Sequence, residues 1–537
     1  MTFFTVCLLV LGSGLHDTES STVDRIIEIG RTDNHVQEHL DHMVNRIGPR
    51  LTGSDSLQTA CEWAVERFKS FGIENARLER WGEVPVGFNR GPWSGRIVSP
   101  IDRPLRFGTN AWTAGTTGKE SGRVLRVPEN EEQLAQMVGL VDGAWMLGRI
   151  PRDLREPLEA AGMRGEIRAT RDDLILTGGR YRITWDTLPT RPEINLMRED
   201  YQAIEELLDQ GEEVVLEFDI RNYFKEGPVD LYNVIADIPG TELPDEYVIV
   251  GGHIDSWDGA TGTTDNGTGC ATTFEAARLL MESGAKPKRT IRFMLWSGEE
   301  QGLLGSRAYC DQHEDLMEKI SAVLVHDGGT NYLSGITATA AMMEDFEKVF
   351  APVIELDERF PFSIREVEGL RGGGSDHNSF LGKGVPGFFW NQSGDAVYRY
   401  THHTQHDTFE SAIPDYQKHS SMVAAIGALG IANLDHKLSR ENMQAQARAA
   451  RGGRLPRRLL GVRLDDMTIS DVTEDGKAGA AGLKAGDVLV QIDDTKVADA
   501  AELRQALRGG EPKKKVTVRR GEEMVTVTID WSDVEGN

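Results

Sequence analysis

The chain is poor in cysteine and in positive charge. Its four cysteines, Cys7, Cys61, Cys270 and Cys310, form neither a Cys-x-x-Cys pair nor a Cys/His spacing, so no thiolate metal site is expected. If Cys7 leaves with an amino-terminal leader, three remain, and one disulfide plus one free thiol is the most that pairing allows. Lys and Arg number 59 against 85 Asp and Glu, a net charge of −26, which excludes nucleic acid as a partner because phosphates would find no basic footprint. Apolar runs long enough to span a bilayer are also lacking, so no transmembrane helix is expected. What is present is an acidic chain of 537 residues, too long for one core and expected to divide into roughly two to four domains.

Phe3 to Leu15 has the length of a signal-peptide core, with Gly12 and Gly14 near its end, although no Lys or Arg precedes it. Residues 1–20 are therefore read as a signal peptide and the protein as secreted or periplasmic. From Ser21 to Phe71 the pattern is helical, interrupted by the loop Ile47-Gly-Pro-Arg-Leu-Thr-Gly-Ser54. Leu57, Ala60, Cys61, Ala64, Val65 and Phe68 share one face of its second half, and Gly72 ends it as a helix cap. Residues 92–223 change to short strand-like pieces and glycines, with a helix-like Leu158 to Ile167 and no cluster of ligand-type residues. From Asn233 strands and helices alternate, the pattern of a doubly wound α/β fold. Residues 438–457 read as a polar linker, and a last segment of short strands follows, in which Lys513 to Lys515 is expected to be a solvated turn.

The chemistry gathers at strand ends. Tyr247 to Gly252 is an apolar strand that runs into His253-x-Asp255, and Asp265 opens the next helix ten residues on. Thr290 to Trp296 runs into Glu299-Glu300, Ile320 to His326 runs into Asp327, and His402-His403-Thr-x-x-Asp407 lies beyond the last sheet strand. Ligands in open α/β sheets bind outside the carboxyl ends of the strands. Any one of these side chains alone would be a helix cap or a solvated pair. Two imidazoles and three carboxylates in strand-end register are instead a donor set suited to a pair of zinc ions.

In their order, His253-x-Asp255, Asp265-Asn266, Glu299-Glu300, Asp327 and His403-Thr-x-x-Asp407 resemble the signature of the zinc-dependent exopeptidases, a family that includes leucyl-type aminopeptidases, glutamate carboxypeptidase and carboxypeptidase Q. The wording HIDSWD and the loop IGPRLTGS are most similar to the carboxypeptidase Q branch. The resemblance implies an α/β zinc exopeptidase domain over residues 21–91 and 224–437, built on a doubly wound mixed sheet. It implies that Asp265 bridges two Zn2+, that His253 and Asp327 complete one and Glu300 and His403 the other, and that Glu299 is the general base. Asp255 would orient His253. His402 stands where some relatives place a tyrosine that donates to the oxyanion, and Asp376 and His377 stand in a loop that lies over the substrate pocket in that family, so all three are expected at the substrate.

Residues 92–223 resemble a protease-associated domain, β-rich and inserted between the two catalytic halves. Residues 458–534 resemble a PDZ domain, carried by Gly482-Leu-Lys-Ala-Gly-Asp487, with Leu460 and Gly461 in the loop that would capture a peptide's terminal carboxylate. The expected partners are peptide substrates and a peptide ligand of the PDZ domain, and a homodimer is left open. Two other functions stay open at this stage: a single-zinc acyl transferase of the glutaminyl cyclase type, and a catalytically inactive scaffold on the same fold.

Overall fold

The structure, a computed structural model, describes residues 21–443 and, further on, 462–465, 467–472, 477–497, 503, 506–507, 513–521 and 523–531. The expected signal peptide and the Leu460–Gly461 loop lie outside the described residues. These residues fall into two compact units that divide at Gln444/Ala445.

In the first unit, the strand Leu243–His253 lies at the centre of a mixed sheet, parallel to Arg289–Trp296 on one side and to Ile320–Val325 on the other. Gly387–Phe389 extends the parallel part, and Val215–Ile238 joins antiparallel beyond Arg289–Trp296. The chain thus leaves the central strand for one neighbour and then crosses to the other, and this reversal opens a crevice at the carboxyl end of Leu243–His253. Arg289–Trp296 is buried along its whole length, which is why its sequence reads as a nearly continuous apolar run rather than an alternation. Helix Thr268–Glu282 packs against Pro414–Ala432, and both are buried on nearly every face.

The amino-terminal helices Thr22–Thr32, Val36–Asp41 and Asp55–Ser70 complete this layer. Ser54 caps the last of them by accepting from the Leu57 N–H. Gly72, at φ +87°, closes it with the paired bonds of a Schellman turn, Gly72 N–H to Lys69 O and Ile73 N–H to Phe68 O.

The strands Arg77–Ser99 and Val215–Ile238 pair antiparallel over most of their lengths. They run without a break through positions 92 and 223 and carry the sheet into a region with its own buried clusters, one around Trp145, Ile167 and Phe218 and another around Met146, Leu154 and Leu158. The expected helix over Leu158 to Ile167 is shorter than its pattern: Arg152–Ala160 is helical, Gly162 turns the chain at φ +88°, and Gly165–Ala169 is a strand. At the other end, Leu438 is buried in the main core and Arg440 donates to the carbonyls of Gly384, Met317 and Ile320, so the first residues of the expected linker belong to this fold.

Cys61, Cys270 and Cys310 are all free and buried, so no disulfide forms among them.

The second unit is a small β structure around Ile469, Leu489, Val516, Val518 and Trp531. Asp487 of the GLKAGD turn is buried, accepts from the Lys484 N–H and takes both arms of Arg520 at 2.7 and 2.8 Å. The expected solvated turn at Lys513 to Lys515 is instead the start of a strand, Lys513–Arg520. Alternation turns Lys514 inward with Val516 and Val518, and its ammonium is paired 3.0 Å from Asp493.

Candidate active site

Five strand and loop ends converge above the crevice. His253 ends the central strand, and its Nδ1 lies 3.0 Å from the carbonyl of Asp255. With the proton on Nδ1, the Nε2 lone pair faces Asp265 Oδ1 and Asp327 Oδ1, each 3.2 Å away. A lone pair aimed at two carboxylate oxygens is stable only with a cation or an added proton between them. Burial lowers the His253 pKa, yet Asp327 and Glu299 outweigh it and hold the ring well above the ordinary imidazole range.

The second half mirrors the first. His403 Nε2 is 3.2 Å from Asp265 Oδ2 and 3.0 Å from Glu300 Oε2. Asp265 therefore offers one carboxylate oxygen to each histidine. The other oxygen of Glu300, Oε1, is buried with no hydrogen-bond partner. The residues therefore fit a bound cation: the donors are hard to borderline and an oxygen is left without a donor.

Short-range packing holds Asp265 in place. Asn266 donates from Nδ2 to the His326 carbonyl at 2.8 Å and accepts from the Gly269 N–H, which ties the Asp265 turn to the Asp327 strand end. A Cβ on Gly252 would lie 2.7 Å from both Asn266 Nδ2 and the His326 carbonyl, so glycine is required for this approach. Asp407 accepts from the N–H groups of Thr264 and Asp265 and so joins the Asp265 turn to the His403 loop. Arg50, fully buried in the IGPRLTGS loop, donates to the carbonyls of Ile254, Gly48, Thr261 and Gly262, and so fixes the whole segment between His253 and Asp265.

Residues 233–426 match the family model described as Peptidase family M28, and residues 427–530 match that of a PDZ domain. The chain carries an M28 peptidase and a PDZ domain. It is 28% identical over 429 residues to carboxypeptidase Q of Mus musculus, covering 76% of this chain and 88% of the relative. Identity to carboxypeptidase Q of Homo sapiens is 26% over 428 residues, with the same coverage of 76% and 88%. A solved peptidase M28 precursor from Shewanella amazonensis SB2B is 25% identical at a TM-score of 0.56, covering 78% of this chain and 97% of that one. The protein is thus a metallo-exopeptidase, a hydrolase of peptide bonds. The PDZ match begins inside the helix Pro414–Ala432, which packs in the first unit.

Around these side chains lies a cavity of about 500 Å3, with Asp265, Glu299, Glu300, Asp327, His402 and His403 on its wall. Glu299 is buried, and that burial, added to the charges of Asp327, Asp376 and Glu300, pushes its carboxyl far above the usual range against the pull of His253. Asp255, expected to orient His253, has Oδ1 3.6 Å from its Nδ1, and the same carboxylate accepts from the N–H groups of Glu299 and Glu300 and from Thr52 Oγ1. One side chain therefore aims both glutamates while its backbone carbonyl holds the histidine.

His402 is half-exposed on the cavity wall, with Nε2 3.8 Å from Asp265 Oδ2. Asp376 and His377, expected at the substrate, are buried beneath that wall, which at this loop is formed by Ser375 and Asn378; the Gly-rich turn carries its polar pair inward. The charge of Asp376 is among those that raise the Glu299 carboxyl.

Two further residues of this cavity, Tyr398 and Arg307, carry no motif in the sequence. Tyr398 lies tilted against His402, with ring centroids 4.9 Å apart and planes at 41°, and lines the cavity, and Arg307 enters from the helix Leu304–Gln312. Neither is a metal ligand by type. Their one sequence signal is position, four residues before the histidine pair and seven after Glu300.

Proposed function

We propose that this M28 peptidase is a dinuclear zinc exopeptidase that hydrolyses dipeptides and other short peptides with a free carboxyl terminus. The observation that carries the reading is Asp265, whose two oxygens each lie 3.2 Å from a different histidine, His253 and His403. His253 with Asp327, and His403 with Glu300, would hold one zinc each, and Asp265 both. Bound zinc would polarise the scissile carbonyl and lower the pKa of the attacking water.

The side chains of the chain do the rest. Glu299, held by Asp255 through its backbone N–H, takes the proton of the water on its carboxylate and returns it to the leaving amine. His402 and Tyr398, in tilted ring contact on the cavity wall, supply donors for the oxyanion that develops at the carbonyl. Arg307 is a guanidinium on the wall of an otherwise acidic hollow, and its side chain has no ion-pair partner among the described residues. It is suited to the free carboxylate of a short substrate, which the buried acids would otherwise repel. Carboxypeptidase Q, the relative named above, agrees with this choice of substrate end.

The bridging geometry favours two metals over the single zinc of a cyclase. Export through the Phe3 to Leu15 segment and capture of a peptide terminus by the PDZ domain belong to the same proposal. The test is a side-by-side assay of unblocked dipeptides, amino-blocked dipeptides and aminoacyl-anilides on the zinc-loaded full chain. Cleavage of unblocked dipeptides with little of the anilides is expected; anilides cleaved as fast as dipeptides would make the enzyme an aminopeptidase and sink the carboxylate-anchored reading.

A further inference from the structure

A second cavity, about 720 Å3, lies away from the candidate metal donors, in the part of the chain that follows Arg77–Ser99 and precedes Val215–Ile238. Five arginines line it: Arg149, Arg152, Arg155, Arg168 and Arg180. In a chain of net charge −26 this convergence runs against the composition. Two of the five are neutralised. Arg155 and Arg168 each reach Glu166 at 2.5 Å and Glu193 at 3.3 Å, which fixes their guanidinium groups in the wall. Arg149, Arg152 and Arg180 have no ion-pair partner among the described residues. Glu166 is itself buried and accepts from the Ile150 N–H, so it holds the loop that carries Arg149 and Arg152. The cavity is thus a built wall with three free cationic forks.

The chain segment that leads into Arg180 touches the loop of His403. Thr177 N–H donates to the His403 carbonyl at 2.9 Å, and Gln405 N–H donates to the Ile175 carbonyl at 3.1 Å. Arg180 follows three residues after Thr177 on that segment. Trp112, also on the cavity wall, meets Trp257 at 6.4 Å, and Trp257 meets His403 at 6.2 Å between ring centroids.

We propose that this cavity is a binding site for a small multivalent oxyanion, carrying phosphate or carboxylate groups, held by Arg149, Arg152 and Arg180. Planar guanidinium forks match both kinds of oxyanion in two-point contacts. An anion that draws Arg180 inward also acts on the 175–180 segment, and through it on the loop of His403, so occupancy modulates peptide hydrolysis.

The experiment uses the zinc-loaded full chain in calorimetric titrations at constant ionic strength and constant free zinc. Fructose 1,6-bisphosphate is the phosphate probe and tricarballylate the carboxylate probe. At least one of them is expected to bind saturably at one site per chain, and which one binds identifies the ligand class. In the variant Arg149→Gln/Arg152→Gln/Arg180→Gln, binding is expected to weaken at least roughly tenfold, each lost charge-assisted contact being worth about that much. Basal turnover without anion should stay unchanged in this variant, which also shows that it is folded. The corresponding triple lysine variant keeps the charge without the fork and should bind with intermediate strength. The anion should change the peptide KM of the wild-type chain and leave that of the glutamine variant unmoved. Binding of equal strength in wild type and glutamine variant, which would place the anion at the metal centre or elsewhere, overturns the proposal, as does failure of both probes to bind. The calorimetric arm requires no turnover, so it stands or falls separately from the peptidase reading.

Discussion

Glu299 and Arg307 divide the work at the residue scale. Glu299 is buried beside the candidate donors, and Asp255, 44 residues away in the chain, accepts from its backbone N–H. Replacing it by glutamine removes the proton carrier and leaves shape and donors intact. Glu299→Gln is expected to keep its full zinc content while kcat falls about 10²–10⁴-fold, the usual worth of a general base; metal analysis beside steady-state kinetics checks both halves. Turnover retained in the metal-replete variant would remove Glu299 from this role. Arg307 answers to a different readout. Loss of a charge-assisted contact costs about 1.5–3 kcal/mol, so Arg307→Gln should raise KM for unblocked dipeptides by roughly tenfold or more and leave amidated dipeptides unaffected. An equal loss on both substrates would assign Arg307 to the fold.

At the scale of elements, the helix Pro414–Ala432 owes its place to packing on all sides. Its His419 is buried between Tyr332 and Phe360, with ring centroids at 5.9 and 5.0 Å, and neither ring nitrogen has a hydrogen-bond partner. Burial lowers its pKa to about 4, below the unfolded value of about 6.5. The folded state therefore binds fewer protons than the unfolded one between these values. This contribution to stability is complete above the unfolded pKa and is lost as the pH falls toward the folded pKa. His419→Phe keeps the aromatic contacts and removes the titration. The drop in Tm from pH 7 to pH 5 should be smaller in the variant than in the wild type, and equal drops would show that His419 does not titrate in this way.

At the scale of the whole molecule, the donor set joins pieces far apart in the chain: the His253 strand, the Asp265 turn, the Glu300 and Asp327 strand ends and the His403 loop. Cations held between them would bind the folded state alone, and such linkage is worth about 2.7 kcal/mol when free metal exceeds Kd by about 100-fold. Chelation should lower the Tm of the full chain and abolish hydrolysis, and zinc should restore both with two equivalents per chain. Restoration complete at one equivalent would break the bridging assignment of Asp265.

The sequence by itself determined the elements whose chemistry is local. Periodicity placed the helix seen at Asp55–Ser70 with its Gly72 stop, the apolar strands, and the ligand types at their ends, because helix-stop and strand-end patterns are written in adjacent residues. Tertiary structure alone decided what depends on residues meeting across the chain. It set Asp255 on the N–H groups of both glutamates, turned Asp376 and His377 under the cavity wall, brought Arg307 and Tyr398 onto it, and folded Lys514 inward to Asp493. It also gathered five arginines from separate segments of an acidic chain around one cavity. Burial and the direction of a side chain follow from the partners that crowd it, and those partners lie tens to hundreds of residues away.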